Sequence, residues 1–364
     1  MSASLACALM GIILTVKITH DTSLAGYTSL RVGGRAETLI EIEKADNLAD
    51  VIARSVDGLA WLLGFGTNCL ISDKGLPGVV IVNRSGRLEK MSPTRFKVGS
   101  GLNWDDFIQA IIADDLWGLE FTSGIPGGSG AAVAGNIAAY GHKVADSFIQ
   151  ATIINPLEKR TEIWDRSKLE FDYRDSAVQR PENSHLVILD ATFELSPEPT
   201  GELQYESALK VAHELGLKPD SLANRRKIII ETRQRAGSLL TNPAAGPWTA
   251  GSFFKNPRVD EAQIQAIIEH EEKPISRQQL LRQNVIHGQD KNRVSAAHVL
   301  LAAGFKRGQS WGNVRLHPHH ILKLENMGSA TASEMYDVVQ QIIQTVKEKL
   351  DIKLEPEVRF LGDF

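Results

Sequence analysis

Residues 249–257 read Thr-Ala-Gly-Ser-Phe-Phe-Lys-Asn-Pro. A serine, a lysine and an asparagine stand beside two aromatics, between Gly251 and Pro257. A surface loop gains nothing from a Phe-Phe pair, and a core strand has no easy partners for Ser252, Lys255 and Asn256 together. The composition predicts a loop that presents polar groups inside an apolar cleft. A half-buried strand end with a turn is the plainer alternative.

Working outward, 364 residues are too many for one ordinary domain, and a length prior suggests roughly two or three. A hydrophobic content of 43% and a charged content of 23% describe a soluble globular protein with ample core. The formal charge of −4 leaves no basic footprint, which argues against nucleic acid as a partner. Cys7 and Cys69 are the only cysteines, so neither a disulfide framework nor a cysteine-based metal site is expected, in keeping with a cytoplasmic protein. Leu5–Val16 is apolar, but no Lys or Arg precedes it and no small-residue cleavage site ends it. It is also shorter than the ~20 residues that span a bilayer. It reads as a disordered extension leading into a first strand, without membrane insertion; a poor signal peptide is the alternative.

Short β-like runs dominate the first half: Glu37–Ile42, Leu59–Leu63, Val79–Asn83, Phe96–Val98, Ala151–Asn155 and Leu186–Leu195. Asn103 with Asp105 and Asp106 marks a helix start before Phe107, Ile108, Ile111 and Ile112, spaced as one apolar face. Helical content rises after about residue 222. Thr331 and Glu334 form a capping-box pair ahead of Met335, Val338, Val339, Ile342, Ile343, Val346 and Leu350. Leu354–Leu361 returns to strand-like composition and is expected to fold back onto an earlier sheet. The fold class is α+β.

Two glycine-rich loops interrupt these elements. Leu59–Leu63 runs into Gly64-Phe65-Gly66-Thr67-Asn68, and the next strand is expected only after Gly78. Glycines here let successive backbone N–H groups turn toward one anion, with Thr67 and Asn68 adding side-chain donors. Cys69 stands where a dinucleotide fingerprint needs its third glycine, so this is no Rossmann loop, and a plain tight turn remains open. The second stretch holds Ser123-Gly124-Ile125-Pro126-Gly127-Gly128-Ser129-Gly130-Ala131-Ala132 and Gly135–Gly141, with no charged side chain from Phe121 through Gly141. Main chain that is so small and so poor in charge can approach a large flat ligand closely. Ile125, Pro126, Val133, Ile137 and Tyr140 argue against a flexible linker.

With these loops and the 249–257 run in hand, the chain resembles the UDP-N-acetylenolpyruvoylglucosamine reductase family, flavoenzymes of peptidoglycan precursor synthesis. The resemblance runs from about Thr28 to Gly362, through Thr28–Gly34, Gly64–Asn68, Ser123–Gly127, Asn136–Gly141, Tyr173–Ser176, Gly251–Pro257 and Pro356–Phe360. Motifs in this order are far harder to meet by chance than any one alone. The resemblance implies an FAD-binding fold of the vanillyl-alcohol-oxidase type with an additional α+β substrate-binding domain. It divides the chain into residues 1–84 with 351–364 and residues 85–222 for FAD, and 223–350 for substrate. Arg31–Arg35 offers no His or Cys nucleophile, so FAD is expected to bind without a covalent link.

Reducing an enolpyruvyl ether needs a hydride source, an electrostatic clamp on the substrate carboxylate and a proton donor. Flavin supplies the first. By resemblance, Arg174 and Glu357 stabilise the enol-like intermediate and Ser252 donates the proton. The resemblance assigns FAD binding to Gly64, Gly66, Thr67, Asn68, Ser123, Gly124, Ile125, Pro126, Gly127, Gly130, Ala131, Asn136, Ala138, Tyr140 and Gly141. Tyr205, Lys255, Asn256 and Arg293 match substrate-binding positions. Without the resemblance, Arg174 paired with Asp175, Glu357 paired with Arg359 and Ser252 in a simple turn would serve equally well.

Departures from the family pattern accompany the match. Arg293 stands where relatives usually carry Lys, Ala236 where they often place a lysine that meets the substrate, Gly135 replaces a usual glutamine and Ala138 a usual glycine. NADPH is implied as hydride donor, and with no second dinucleotide motif in the chain it is expected to reduce FAD from the cleft that later takes the UDP-sugar, in ping-pong kinetics. His317, His319 and His320 lack a companion carboxylate or Cys at ligand spacing, and no metal is expected. A monomer is expected. A sugar or lactone oxidase of the same fold, and a catalytically weak paralogue that binds flavin or UDP-sugar, are the alternatives.

Overall fold

Near-continuous runs of β-branched residues, such as Thr38-Leu39-Ile40 and Val79-Val80-Ile81-Val82, are what a parallel sheet covered on both faces requires. In the computed structural model, which describes residues 16–43, 48–55, 60–240, 246, 248–271, 273–287 and 292–364, these runs form the centre of such a sheet. Its strand order is Val16–Ser23, Arg35–Ile42, Leu76–Asn83, Ala60–Leu63. The last three strands are parallel, with Ile40 and Leu62 both in register with Ile81. Parallel neighbours need a crossover, and the Leu48–Ser55 helix lies between two of them in sequence, burying Leu48, Val51 and Ile52 against the sheet. The Leu5–Val16 stretch lies outside the described residues apart from Val16.

The second sheet is antiparallel, in the order Arg160–Asp165, Phe148–Asn155, Val187–Glu194, Arg95–Gly99, Leu88–Lys90. Against it lies the Trp104–Ala113 helix, which starts where its cap predicts: Asn103 Oδ1 accepts from the Asp105 N–H at 2.9 Å. Trp104, Phe107, Ile108 and Ile111 are buried. Phe107 lies 5.6 Å from Trp104 and 5.2 Å from Phe193, ring centre to ring centre. Such aromatic pairs add about 0.5–1.5 kcal/mol beyond the area they bury.

Both sheets belong to one compact unit, made of the described residues up to Thr22, Ala36–Gly66 and Leu76–Gln234. The other unit comprises Ser23–Arg35, Thr67–Gly75 and Arg235–Phe364. Its antiparallel sheet runs Trp248–Ser252, His320–Asn326, Val314–His317, Ser310–Trp311. The Ala332–Leu350 helix buries Met335, Val338, Val339, Ile342, Val346 and Leu350 in a core shared with Phe253, Phe254, Leu322 and Leu324. Thr331 and Glu334 exchange both capping-box bonds, at 3.0 and 2.8 Å, and Asp73 accepts from the N–H groups of Ala332 and Ser333.

Glycine is obligatory where Thr28–Gly34 meets the 72–75 turn. A Cβ on Gly34 would stand 2.3 Å from the Asp73 carbonyl, and one on Gly75 would stand 2.0 Å from that of Arg35. This motif therefore serves backbone packing.

Three expectations change. A strand begins directly after the first glycine loop, at Cys69–Ile71, and the following strand starts at Leu76 rather than after Gly78. Only Arg359–Leu361 of the last segment is strand; it pairs in parallel with Cys69–Ile71, so the fold-back is onto this short strand. Residues 351–364 accordingly pack with 67–75 and 235–350, while the Leu222–Arg235 helix, up to Gln234, joins the unit that holds the first two sheets. Burial decides both: Ile352, Leu354 and Val358 complete the core around Phe253, and Ile228 and Ile229 pack with Phe121 and Ala208.

Candidate active site

The first glycine loop leaves the Ala60–Leu63 strand at Gly64. Gly66 is left-handed, with φ +61°. Gly64 is not, and a Cβ added there would meet nothing within 4 Å. Neither conformation nor packing demands glycine at 64, which leaves open main chain for a ligand to approach. Arg84 holds this loop by donating to the Gly64 carbonyl while its guanidinium lies 4.3 Å from the Phe65 ring centre.

The second loop is fixed by its own backbone. Ser123 Oγ donates to the Glu120 carbonyl, the Ile125 N–H to Thr122, and the Gly130 N–H to Ser100. Gly127 is left-handed at φ +134°, and its carbonyl accepts from the Trp104 N–H. Pro126 lies within the same turn, and Ala131 is exposed on the Ser129–Ala134 helix. Gly141 is left-handed, with open space where a Cβ would be. Ala138 lies outside the left-handed region, so its methyl group costs no backbone strain, and Gly135, at φ −83°, has no conformational need to be glycine.

Two motifs remote in sequence meet here. Asn136 takes a left-handed φ of 39°, donates through Nδ2 to the Asp172 carbonyl at 2.9 Å and accepts from the Ala145 N–H. Ser176 Oγ donates to the Ala134 carbonyl. Together they hold the tight Asp172–Asp175 turn, at whose tip Arg174 is also left-handed, with φ 52°. Tyr205 lies edge-on to Tyr140 at 5.3 Å. Burial pushes the Tyr205 hydroxyl up to about 12, partly opposed by the charge of Arg174. Burial also raises Tyr140, against the pull of Arg233.

Arg233 and its neighbours are functional candidates that the sequence reading missed. The Gly124 peptide is clamped at both ends: its N–H donates to Asp105 Oδ1 at 2.6 Å, and its carbonyl accepts from Arg233 Nε at 3.1 Å. Arg226 holds the same Asp105 through two bonds of 2.7 Å. Burial works against the Asp105 carboxylate, yet Arg226, the Gly124 N–H and Arg233 bring its pKa below the ordinary value. Burial likewise lowers Arg233, whose charge is supported by Tyr140 and Asp105 and opposed by Arg174. The available signal was the seven-residue spacing of Arg226 and Arg233, two helical turns on one face. Paired cations and tyrosine hydroxyls around a charge-poor loop suit an anionic ligand.

In the other unit, Gly251 is left-handed at φ +79° and a bulge separates Thr249 from Ser252. Beyond it the chain is held on both sides: the Phe253 N–H donates to the Leu322 carbonyl at 2.7 Å, and the Glu357 N–H donates to the Phe253 carbonyl at 2.8 Å. Ser252 and Glu357 are thus brought onto adjoining hydrogen-bonded segments, both half-buried. Asn68 Nδ2 donates to the Glu357 carbonyl, and the Asn68 carbonyl, one residue after Thr67, accepts from Arg359. Asn256 and Arg293 also meet: Arg293 Nη1 donates to the Asn256 carbonyl at 2.7 Å, and Asn256 Oδ1 accepts from the Ala296 N–H. The Lys255 N–H bonds the Glu355 carbonyl. Phe253 and Phe254 are fully buried, so the Phe-Phe pair anchors the run in the core while its polar residues stay accessible. Arg174 belongs to the first unit, Ser252 and Glu357 to the second.

Among the described residues no group of three His, Cys, Asp or Glu side chains is placed to hold a metal ion. His317 instead packs against Gly237, where a Cβ would stand 2.6 Å from its ring, and its Nδ1 accepts from the His319 N–H. Among the described residues no helix is long and apolar enough to cross a membrane.

The fold defines the class: residues 37–162 match the family described as FAD binding domain, and the chain is an α+β flavoprotein. Residues 234–361 match the family described as UDP-N-acetylenolpyruvoylglucosamine reductase, C-terminal domain. The chain is related along nearly its whole length to these reductases. It is 27% identical over 358 residues to UDP-N-acetylenolpyruvoylglucosamine reductase 2 of Corynebacterium glutamicum, covering 95% of each chain. It is 27% identical to the Thermobifida fusca reductase over 96% of this chain and 99% of that one, and 29% identical to the Streptomyces coelicolor reductase over 95% and 91%. The crystal structure of the Thermus caldophilus reductase shares its fold, with a TM-score of 0.63 at 21% identity, covering 95% of this chain and 99% of the other.

Proposed function

We propose that this protein reduces UDP-N-acetylglucosamine enolpyruvate to UDP-N-acetylmuramate, with NADPH as donor and FAD as bound cofactor, in peptidoglycan precursor synthesis. One observation carries the reading: a single chain joins an FAD-binding domain to the C-terminal domain of these reductases, and it aligns with 99% of the length of the Thermobifida fusca reductase. The residues fit the cofactor on structural grounds, because Gly64 and Gly141 keep open main chain that a side chain would fill.

FAD, bound without a covalent link, would supply the hydride chemistry, with NADPH as the donor. Gly64, Gly66, Thr67, Asn68, the Ser123–Gly127 turn, Gly130, Ala131 and Asn136–Gly141 would hold it. Arg174 and Glu357 polarise the substrate carboxylate and stabilise the enol-like intermediate. Ser252 gives its hydroxyl proton to the neighbouring carbon. Tyr205 covers the substrate diphosphate, and Lys255, Asn256 and Arg293 bind the sugar-nucleotide. The Arg293 guanidinium would grip phosphate as a planar fork rather than as a point charge. The reading carries with it a monomeric enzyme of the cytoplasm.

Anaerobic flavin absorbance tests the proposal. Bleaching by NADPH followed by return of colour on adding the enolpyruvyl substrate is the expected result. Bleaching without return would overturn the substrate, and a protein that FAD cannot turn yellow would overturn the whole reading.

A further inference from the structure

Strand register places a buried lysine opposite the proposed proton donor. Ser252 and Lys323 are direct partners in the antiparallel pair of Trp248–Ser252 with His320–Asn326, and residues so opposed share one face of a sheet. It is the polar face. Thr249 and Arg315 are both in register with Glu325, whereas Leu316 and Leu324 pair on the side that enters the core. Lys323 is 2% exposed. Glu325, two residues along the same face, is bonded to Arg315 at 2.7 Å. The Lys323 ammonium instead reaches a turn 87 residues earlier in sequence, donating to the Ala236 carbonyl at 2.6 Å, to the Gly237 carbonyl at 2.8 Å and to Ser238 Oγ at 2.6 Å. Ala236 brings no charge of its own to that turn. After burial, the charge of Lys323 is the next influence that lowers the pKa of both His317 and His320.

A buried ammonium is costly to keep unless every proton is bonded, and an apolar side chain of the same length would pack as well. Serine, for its part, is a poor acid without a nearby positive charge. We propose that Lys323 is a positioning residue for proton donation by Ser252: it holds the 236–238 turn and places a fixed positive charge on the sheet face that Ser252 shares. When the Ser252 O–H bond breaks, its proton forms the new C–H bond on the substrate and the bonding pair stays on Oγ. The ammonium stabilises that alkoxide until water reprotonates it. This rests on the function proposed above.

The test is stopped-flow reoxidation of the NADPH-reduced holoenzyme by the enolpyruvyl substrate at saturation, in wild type, Lys323→Met, Lys323→Arg, Ser252→Ala and the Ser252→Ala/Lys323→Met double variant. Lys323→Met should keep FAD and its NADPH reduction rate, yet slow reoxidation at least about tenfold, with Lys323→Arg recovering most of the loss. In the Ser252→Ala background the same substitution should change the residual rate less than about twofold, because the two act as a unit. Wild-type reoxidation in Lys323→Met, or losses that multiply in the double variant, would overturn the proposal. Should Lys323→Met not retain flavin, Lys323→Gln, whose neutral amide can still bond the two carbonyls, takes its place in the same cycle. A wild-type enzyme that NADPH bleaches but the substrate does not reoxidise would sink the functional reading as well, and is told apart because it appears before any variant is made.

Discussion

Replacing Arg225 by methionine should cost about 3 kcal/mol of stability and loosen the FAD site, although Arg225 is not one of the candidate site residues. Its side chain is 6% exposed and that of its partner Glu120 is 0%, which puts the pair in the class where removing one member strands a buried charge, at about 3–5 kcal/mol. Arg225 Nη1 donates to Glu120 Oε1 at 2.6 Å and to the Thr200 carbonyl at 3.1 Å, Nη2 to Gly201 at 3.0 Å, and Nε to Pro219 at 3.0 Å. Its guanidinium lies 4.7 and 4.8 Å from the Trp117 and Phe121 ring centres. Methionine keeps the apolar stem, and sulfur against these rings returns about 0.3–1.5 kcal/mol, while Glu120 keeps the Gly118 N–H at 2.8 Å. Urea unfolding followed by tryptophan fluorescence reads the loss, as a midpoint lower by about 1 M for a slope near 3 kcal/mol/M. The Glu120→Gln/Arg225→Met double variant should lose less than the sum of the singles, by about 1–3 kcal/mol, since no buried charge remains. Because the Leu222–Arg235 helix also presents Arg226 and Arg233 to Asp105 and Gly124, bound FAD should fall in parallel. A single-variant loss below about 1 kcal/mol, or simple additivity, would refute the reasoning.

Two glycines should separate cofactor from fold. Gly64→Ala, with open space and no left-handed φ, should leave apoprotein stability within about 1 kcal/mol but weaken FAD binding in a fluorescence titration. Gly34→Ala, whose Cβ would meet backbone at 2.3 and 2.4 Å, should lower the melting temperature by an amount matching about 3 kcal/mol or more, with or without FAD. Asp105→Asn should cost about 1.5–3 kcal/mol at pH 7. The folded pKa of Asp105 is depressed, so its contribution is present above the unfolded value near 3.9 and fades as pH falls through the folded one. Urea midpoints of wild type and variant should therefore converge in acid, and a gap that stays constant down to about pH 2 would contradict this account. Ser252→Ala should leave NADPH bleaching intact and slow reoxidation by about 10²–10⁴-fold; wild-type turnover would remove Ser252 from the mechanism.

Much of the secondary structure was legible because it depends on neighbours in sequence. The Asn103 cap, the Thr331/Glu334 box and the apolar spacing from Met335 to Leu350 involve residues within a few turns of one another, and each element stands where the pattern predicts. The resemblance was legible as a set of motifs, since short runs such as Gly251–Pro257 keep their order along the chain. What sequence could not state was which strand the C-terminus joins, or that the Leu222–Arg235 helix packs with the first unit. Nor could it single out Arg233, whose acceptor at Gly124 lies 109 residues away, or Lys323, whose acceptor at Ala236 lies 87 residues away. Capping and amphipathic periodicity are short-range and repeat with the geometry of the backbone, so the amino-acid order alone determined them. Pairing a buried cation with its acceptors depends on the path of the chain through three dimensions, and only the tertiary structure decided it.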